Sequence, residues 1–273
     1  MAEHDSRFEV AFGMASDVGH VRAHNEDNAY ASPPVFLVAD GMGGHARGDV
    51  AAAQIVEEFR ASNSAQWFDS PSLHQVVERA AHQVAALQDG SAAPGSTLTG
   101  LGMTLVDGSP YCLVFNIGDS RTYLFEEDEL EQLTVDHSRV QELVSAGQLT
   151  VEQARRHPQR NVITRALGAG MPDVPEVDQW LVPASSGQRF LCCSDGLHGE
   201  VEDAEIARVL RGAADPQSAA QRLVDSALEA GGRDNVTVIV VDVVSAAGAI
   251  GDEYTDADAD AQTLPNAVLE AGS

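Results

Sequence analysis

The stretch FLVADGMGGHARGD, residues 36–49, runs from four apolar residues, Phe36-Leu37-Val38-Ala39, into an acid and a glycine-rich turn. Gly41, Gly43 and Ala46 match the G-x-G-x-x-G/A spacing of a dinucleotide loop, with a strand before it and a helix after it. On that reading the sheet is parallel and a pyrophosphate lies directly on the loop. Asp40 opposes it, because a carboxylate at the end of the strand repels a bound pyrophosphate. A dinucleotide fold also needs a second strand ending in an acid after the helix at 48–61, and Pro71 opens another helix there instead. The strand ending at Asp40 therefore belongs to a different architecture.

Apolar or alternating runs predict further strands at 8–16, 98–106, 111–117, 121–125, 130–133, 176–181, 189–193 and 236–243, beside 35–39. Several are apolar throughout, the pattern of central strands covered on both faces. Ala51, Ile55 and Phe59 share one face of the helix at 48–61, and Leu73, Val76, Val77, Ala80, Val84 and Leu87 keep helical spacing over 71–88. Asp215-Pro216 reads as an N-cap and a proline at the first helical position, opening a helix through Leu223, Val224, Ala227 and Leu228. Two consecutive helices followed by four strands on short turns make the chain α+β with antiparallel meanders. Strands buried on both faces then require two stacked sheets with helices outside. Residues 135–171 interrupt this scheme with short helical pieces, few large apolar residues and several arginines, the look of a surface excursion. The folded domain is expected over 1–244, and 245–273 reads as an acidic, disordered tail. Asp256, Asp258 and Asp260 imitate a calcium loop, but Ala261 and Ala267 replace the glycine and closing glutamate it needs.

The chain has 273 residues, with 42 acids against 16 bases and a formal charge of −26. Every base is arginine. Such a surface repels nucleic acid and anionic membranes, so neither is expected as a partner. No run is long and apolar enough to span a bilayer, and MAEHDSRFEV lacks the apolar core of a signal peptide. Cys112, Cys192 and Cys193 all sit in apolar runs and read as buried and reduced, which points to the cytoplasm. Cys192 and Cys193 are adjacent on a strand and face opposite sides, so they are not a metal-binding pair.

Four segments share one design, an aspartate at the end or start of an apolar strand: Asp40, Asp119, Asp195 and Asp234. Glu26 and Asp27 form another acidic pair. Each alone fits a turn, since Asp-Gly and Gly-Asp-Ser are common turn sequences. After Asp40-Gly41 and Asp195-Gly196, however, the chain is expected to pass through a loop into a helix, so neither is a hairpin. Aspartates gathered at one rim repel each other unless a cation joins them. An all-oxygen donor set selects Mg²⁺ or Mn²⁺ over zinc. Two such ions about 4 Å apart can deprotonate a shared water, and a phosphate ester is the natural substrate. Arg22, four residues before Glu26, suits a bidentate phosphate contact, although spacing alone equally allows a surface ion pair.

Ser16–Asp27, Val38–His45, Asn116–Arg121, Cys193–Leu197 and Gly232–Thr237 together resemble the successive motifs of the metal-dependent PP2C-type (PPM) serine/threonine phosphatases, closest to the bacterial branch. The resemblance runs from Phe8 to Val243 and implies a four-layer α-β-β-α sandwich of two antiparallel sheets flanked by helix pairs. It further implies that Asp40 bridges two Mn²⁺ or Mg²⁺ ions, with the Gly41 carbonyl on one and Asp195 and Asp234 on the other. Glu26 and Asp27 would hold metal-bound waters, Arg22 the phosphate, and Asp119 with Asp195 a third, weaker ion. Asn235 would orient Asp234. The excursion, with Asp136, His137 and Ser138, would be the family's mobile flap. Met42 stands where many eukaryotic members carry a histidine proposed as general acid, and His45 is nearby in sequence. The implied function is hydrolysis of phosphoserine and phosphothreonine in proteins, opposing a cognate serine/threonine kinase, by a monomer. A non-catalytic binding relative would have lost metal aspartates, and none is missing here.

Overall fold

Val35–Met42 is a strand whose side chains alternate between two cores. Phe36 and Val38 point to one and Val35, Leu37 and Ala39 to the other, all fully buried. That alternation explains the unbroken apolar run and places the strand in the middle of the molecule. The computed structural model describes residues 8–43, 47–89, 93–171 and 173–247.

In chain order the first elements are β1 (Phe8–Asp17), β2 (Asp27–Ser32), β3 (Val35–Met42), α1 (Gly48–Ser62) and α2 (Ser70–Ala85). A meander follows: β4 (Gly95–Ser96), β5 (Leu98–Val106), β6 (Ser109–Ile117), β7 (Arg121–Glu126) and β8 (Glu129–Gln132). The excursion holds α3 (Arg139–Ser145), α4 (Val151–Arg155) and β9 (Leu167–Gly168). The chain then returns through β10 (Asp178–Pro183), β11 (Arg189–Cys193), α5 (Asp195–His198), α6 (Asp203–Gly212), α7 (Pro216–Ala230) and β12 (Val236–Ala246).

One sheet has the order β1-β12-β11-β7-β8, and the other β10-β6-β5-β3-β4-β9 with β2 paired to β3. Every strand pairing among the described residues is antiparallel. This removes the dinucleotide reading, which needs parallel β-α-β units. Phe36, Leu101, Val114, Phe190, Ile239 and Val241 fill the space between the sheets. Ile55 and Phe59 of α1 and Leu73 and Val77 of α2 cover the outer face of the larger sheet. Ile206 and Leu210 of α6 and Leu223 and Val224 of α7 cover the smaller one. The layers are α-β-β-α, as expected.

Caps fix the helix starts. Asp69 accepts the Ser72 N–H at 2.9 Å before Pro71, and Asp215 accepts the Ser218 N–H at 2.9 Å before Pro216. The second helix ends at Ala85, short of the expected 88, and β12 runs to Ala246 because Ala246 pairs with Phe8. The tail from 248, with its Asp256–Asp260 run, and His45 lie outside the described residues. All three cysteines are buried and unbonded. Cys192 lies between the sheets and Cys193 under the helices, the opposed facing their adjacency requires. Burial holds the Cys192 thiol up at about 12.

Candidate active site and metal centre

The β-register brings the aspartates to one rim. Asp27 opens β2 directly opposite Asp40, near the end of β3. Arg121, the first residue of β7, pairs with Cys193, the last of β11. Asp119 lies two residues before the first of these and Asp195 two after the second. Asp234 lies two residues before β12, whose first residue pairs with Asp17 at the end of β1. Sequence separations of up to 207 residues thus close into one acidic mouth.

Like charges directly opposite each other on paired strands destabilise a sheet. Burial first, then Asp27 and Asp195, hold the Asp40 carboxyl well above the usual range. Asp119, 7% exposed, is raised likewise by burial and then by Asp195. Burial takes Asp27 to about 7, against a hydrogen bond from Ser194 Oγ at 2.8 Å, and it takes Asp195 to about 6. Glu26 is also raised, by burial and then by Asp49. The Oδ1 atoms of both Asp27 and Asp119 are buried without a hydrogen-bond partner. Buried acceptors of this kind call for a cation or a proton.

Among the described residues no three His, Cys, Asp or Glu side chains make a ready-formed metal cage. The arrangement instead fits hard ions that take one or two carboxylates each and keep several waters. Arg22 Nη2 meets Asp234 Oδ2 at 2.7 Å, with side chains 51% and 32% exposed. Arg22 is thus in an ion pair, with a member of the acidic cluster. A cleft of about 390 Å³ lies over Asp195 and Asp234, with Arg155, Arg156 and Arg160 of the excursion on its other wall.

Backbone contacts hold the rim. The Gly41 N–H donates to the Glu26 carbonyl at 3.1 Å, and the Glu26 N–H donates to Asn235 Oδ1 at 2.9 Å. A Cβ on Gly41 would sit 2.2 Å from the Gly48 carbonyl oxygen, so glycine is required for close approach. Asn235 bonds both Asp234 and the neighbouring loop. Only its backbone N–H reaches Asp234, at Oδ1 and 2.9 Å, while its amide donates to the Val18 and His24 carbonyls. It pins the 18–26 loop that carries Arg22 and Glu26. Asp195 is placed differently from expectation: no loop follows it, and Asp195 itself starts α5 behind Ser194.

Asp136, His137 and Ser138 form the root of the excursion. Arg121 forks onto Asp136 at 2.8 and 2.7 Å; burial lowers the guanidinium's pKa, but the bonds to Asp136 raise it overall. His137 is buried, and Ser138 caps α3 and bridges to Ile163.

The sequence model described as Protein phosphatase 2C matches residues 21–229. The chain belongs to the protein phosphatase 2C family. Within this family it is 38% identical over 277 residues to the serine/threonine protein phosphatase PstP of Mycobacterium tuberculosis H37Rv, across 94% of this chain and 50% of PstP. The chain therefore spans about half the length of that relative. It is 35% identical over 241 residues to the serine/threonine phosphatase stp of Listeria innocua, across 83% of this chain and 93% of stp. Among solved structures it is similar to the PPM Ser-Thr phosphatase MsPP from Mycobacterium smegmatis in complex with cacodylate. That match has a TM-score of 0.77 and 39% identity, across 85% of this chain and 98% of MsPP. It is also similar to the catalytic domain of PstP in complex with two manganese ions, with a TM-score of 0.75 and 36% identity across 87% and 100% of the two chains.

Several residues at this protein phosphatase 2C site support the aspartates without being singled out by the sequence. Ser194 bonds Asp27 and takes the Thr237 N–H at 2.9 Å, and Thr97 Oγ1 accepts the Asp40 N–H at 3.1 Å. His198 Nε2 lies 3.0 Å from the Asp119 carbonyl oxygen, and burial drops its pKa to about 3. A hydroxyl or imidazole next to a strand-end aspartate is the available clue, since Ser194 precedes Asp195 and His198 follows it by three residues.

Proposed function

We propose that the chain hydrolyses phosphoserine and phosphothreonine in proteins with two Mn²⁺ or Mg²⁺ ions. The observation that carries this is the opposed pair Asp27 and Asp40 within a rim of five aspartates, two of whose buried oxygens have no partner. Asp40, the Gly41 carbonyl, Asp195 and Asp234 would hold the two ions, with Asp119 and Asp195 at a third, weaker one. Bound ions of this kind supply a water acidified to near neutral pH as the nucleophile. Glu26 and Asp27 would accept hydrogen bonds from waters held by such ions. Arg22, half-exposed at the mouth, presents a planar fork to the phosphoryl oxygens. The excursion, 135–171, forms the facing wall of the cleft as a flap rooted at Asp136, His137 and Ser138.

The net charge of −26 favours target sequences with basic flanks. A monomer over 1–244, acting in the cytoplasm against a cognate serine/threonine kinase, completes the reading; three buried, unbonded cysteines support that compartment. No described helix is long and apolar enough to cross a membrane. The test is turnover of a phosphothreonine peptide in Mn²⁺. Asp40→Asn is expected to lower kcat/KM by about a hundredfold or more. Undiminished turnover by a folded Asp40→Asn protein contradicts the assignment.

A further inference from the structure

Asp119 lies in the bend between β6 and β7, and the peptide groups on either side of its side chain are held in place. Immediately before it, the Gly118 N–H donates to His137 Nδ1 at 3.0 Å, and the Gly118 carbonyl accepts the His137 N–H at 2.8 Å. The Gly118 carbonyl also accepts from Asn116 Nδ2 at 3.0 Å. Immediately after the side chain, the Asp119 carbonyl is met by His198 Nε2 at 3.0 Å. A carbonyl oxygen only accepts, so Nε2 of His198 carries the proton. An amide N–H only donates, so Nδ1 of His137 carries none. Two histidines from different parts of the chain thus bracket one aspartate, each through a backbone group.

His137 is also where the excursion closes. Its carbonyl accepts the Thr164 N–H at 2.9 Å, and two residues on the Arg139 N–H reaches the Val162 carbonyl at 2.8 Å. On the far side of the ring, Nε2 meets Asp178 Oδ2 at 3.0 Å, and the other oxygen of Asp178 takes Arg165 Nη1 at 2.5 Å. Outgoing chain, returning chain and β10 therefore all meet at one residue, whose peptide takes the returning chain and whose imidazole takes Asp178 and the peptide before Asp119.

We propose that His137 and His198 are positioning residues that aim the Asp119 carboxylate, and that His137 ties the root of the excursion to that same carboxylate. Displacing the 135–171 segment then displaces Asp119, and a cation on Asp119 steadies the segment in return. The inference rests on the reading of Asp119 as an ion ligand. Outer-shell partners that orient a ligand change metal affinity by about ten- to a hundredfold.

Asparagine and glutamine at 137 separate this from a packing role. His137→Asn keeps an acceptor near the place of Nδ1 and loses the Asp178 contact; His137→Gln keeps a donor near the place of Nε2 and loses the Gly118 contact. Mn²⁺ uptake is followed by EPR titration, and tryptic cleavage after Arg155, Arg156 and Arg160 by mass spectrometry, with thermal melts confirming folding. His137→Gln is expected to weaken the third ion about tenfold or more while leaving the two tighter ions in place. It should also speed cleavage at those arginines in Mn²⁺, with His137→Asn close to the parent protein on both counts. At the other bracket, His198→Gln should retain the third ion and His198→Leu lose it. Equal behaviour of the two His137 variants, whether intact or impaired, overturns the proposal. Uptake of only two ions by the parent protein is a separate failure, one that removes the reading of Asp119 itself.

Discussion

Asp27 and Asp40 face each other across β2 and β3, and Ser194 Oγ at 2.8 Å from Asp27 is a neutral partner. The nearest guanidinium with a direct hold on the cluster, Arg22, is spent on Asp234. That imbalance is what a divalent ion corrects, and it gives Arg22 a separable role. Arg22→Ala should raise KM for a phosphopeptide about tenfold or more while moving Mn²⁺ affinity much less; the reverse pattern, from parallel kinetics and titration, removes the phosphate role. Gly196 makes a second residue-scale prediction. A Cβ there would fall 1.9 Å from the Asn235 carbonyl oxygen, so Gly196→Ala should cost about 1–3 kcal/mol in chemical denaturation, as overpacking does. Asp40 and Asp195 were legible in the sequence because each comes at the close of an apolar run. The bond from Ser194 to Asp27 was not, since it spans 167 positions and depends on how two sheets stack.

At the scale of elements, the long apolar strands and the capped helices announced themselves, because burial on both faces leaves an unbroken run and Asp-Pro leaves a start signal. The strands β4 and β9, of two residues each, were silent. They are strands only because they pair with each other and with Gly41 and Met42. β2 was hidden for another reason: DNAYAS is half-buried throughout and has no apolar alternation. The loops at the rim depend on Asn235, whose amide reaches Val18 and His24 and whose Oδ1 takes the Glu26 N–H. Asn235→Ala leaves those groups unpaired and should lower stability by about 1–3 kcal/mol. It should also weaken Mn²⁺ binding about tenfold, although Asn235 touches no expected ion position. A variant that loses stability but binds Mn²⁺ as tightly as the parent contradicts the linkage from loop to metal.

Over the whole molecule, the raised carboxyls tie stability to pH. Asp27 moves from 3.8 to about 7 and Asp195 from 3.8 to about 6 on folding, both chiefly through burial. Between those limits the folded chain binds more protons than the unfolded one, so stability from these groups is full below about pH 4 and lost as pH rises towards 7. A divalent ion replaces the missing protons. The rise in Tm on adding Mn²⁺ should therefore be larger at pH 7.5 than at pH 5, in melts with EDTA as the reference; an equal or smaller rise at pH 7.5 contradicts this. The overall charge of −26 acts separately, through association, and should make kcat/KM for basic-flanked phosphopeptides fall with salt.

The central claim is that this acidic rim acts only with divalent ions. Its most direct test is hydrolysis of one phosphothreonine peptide by EDTA-stripped protein, before and after excess Mn²⁺. The account predicts no turnover above the uncatalysed rate in EDTA and full recovery with Mn²⁺. Full turnover in EDTA would contradict it.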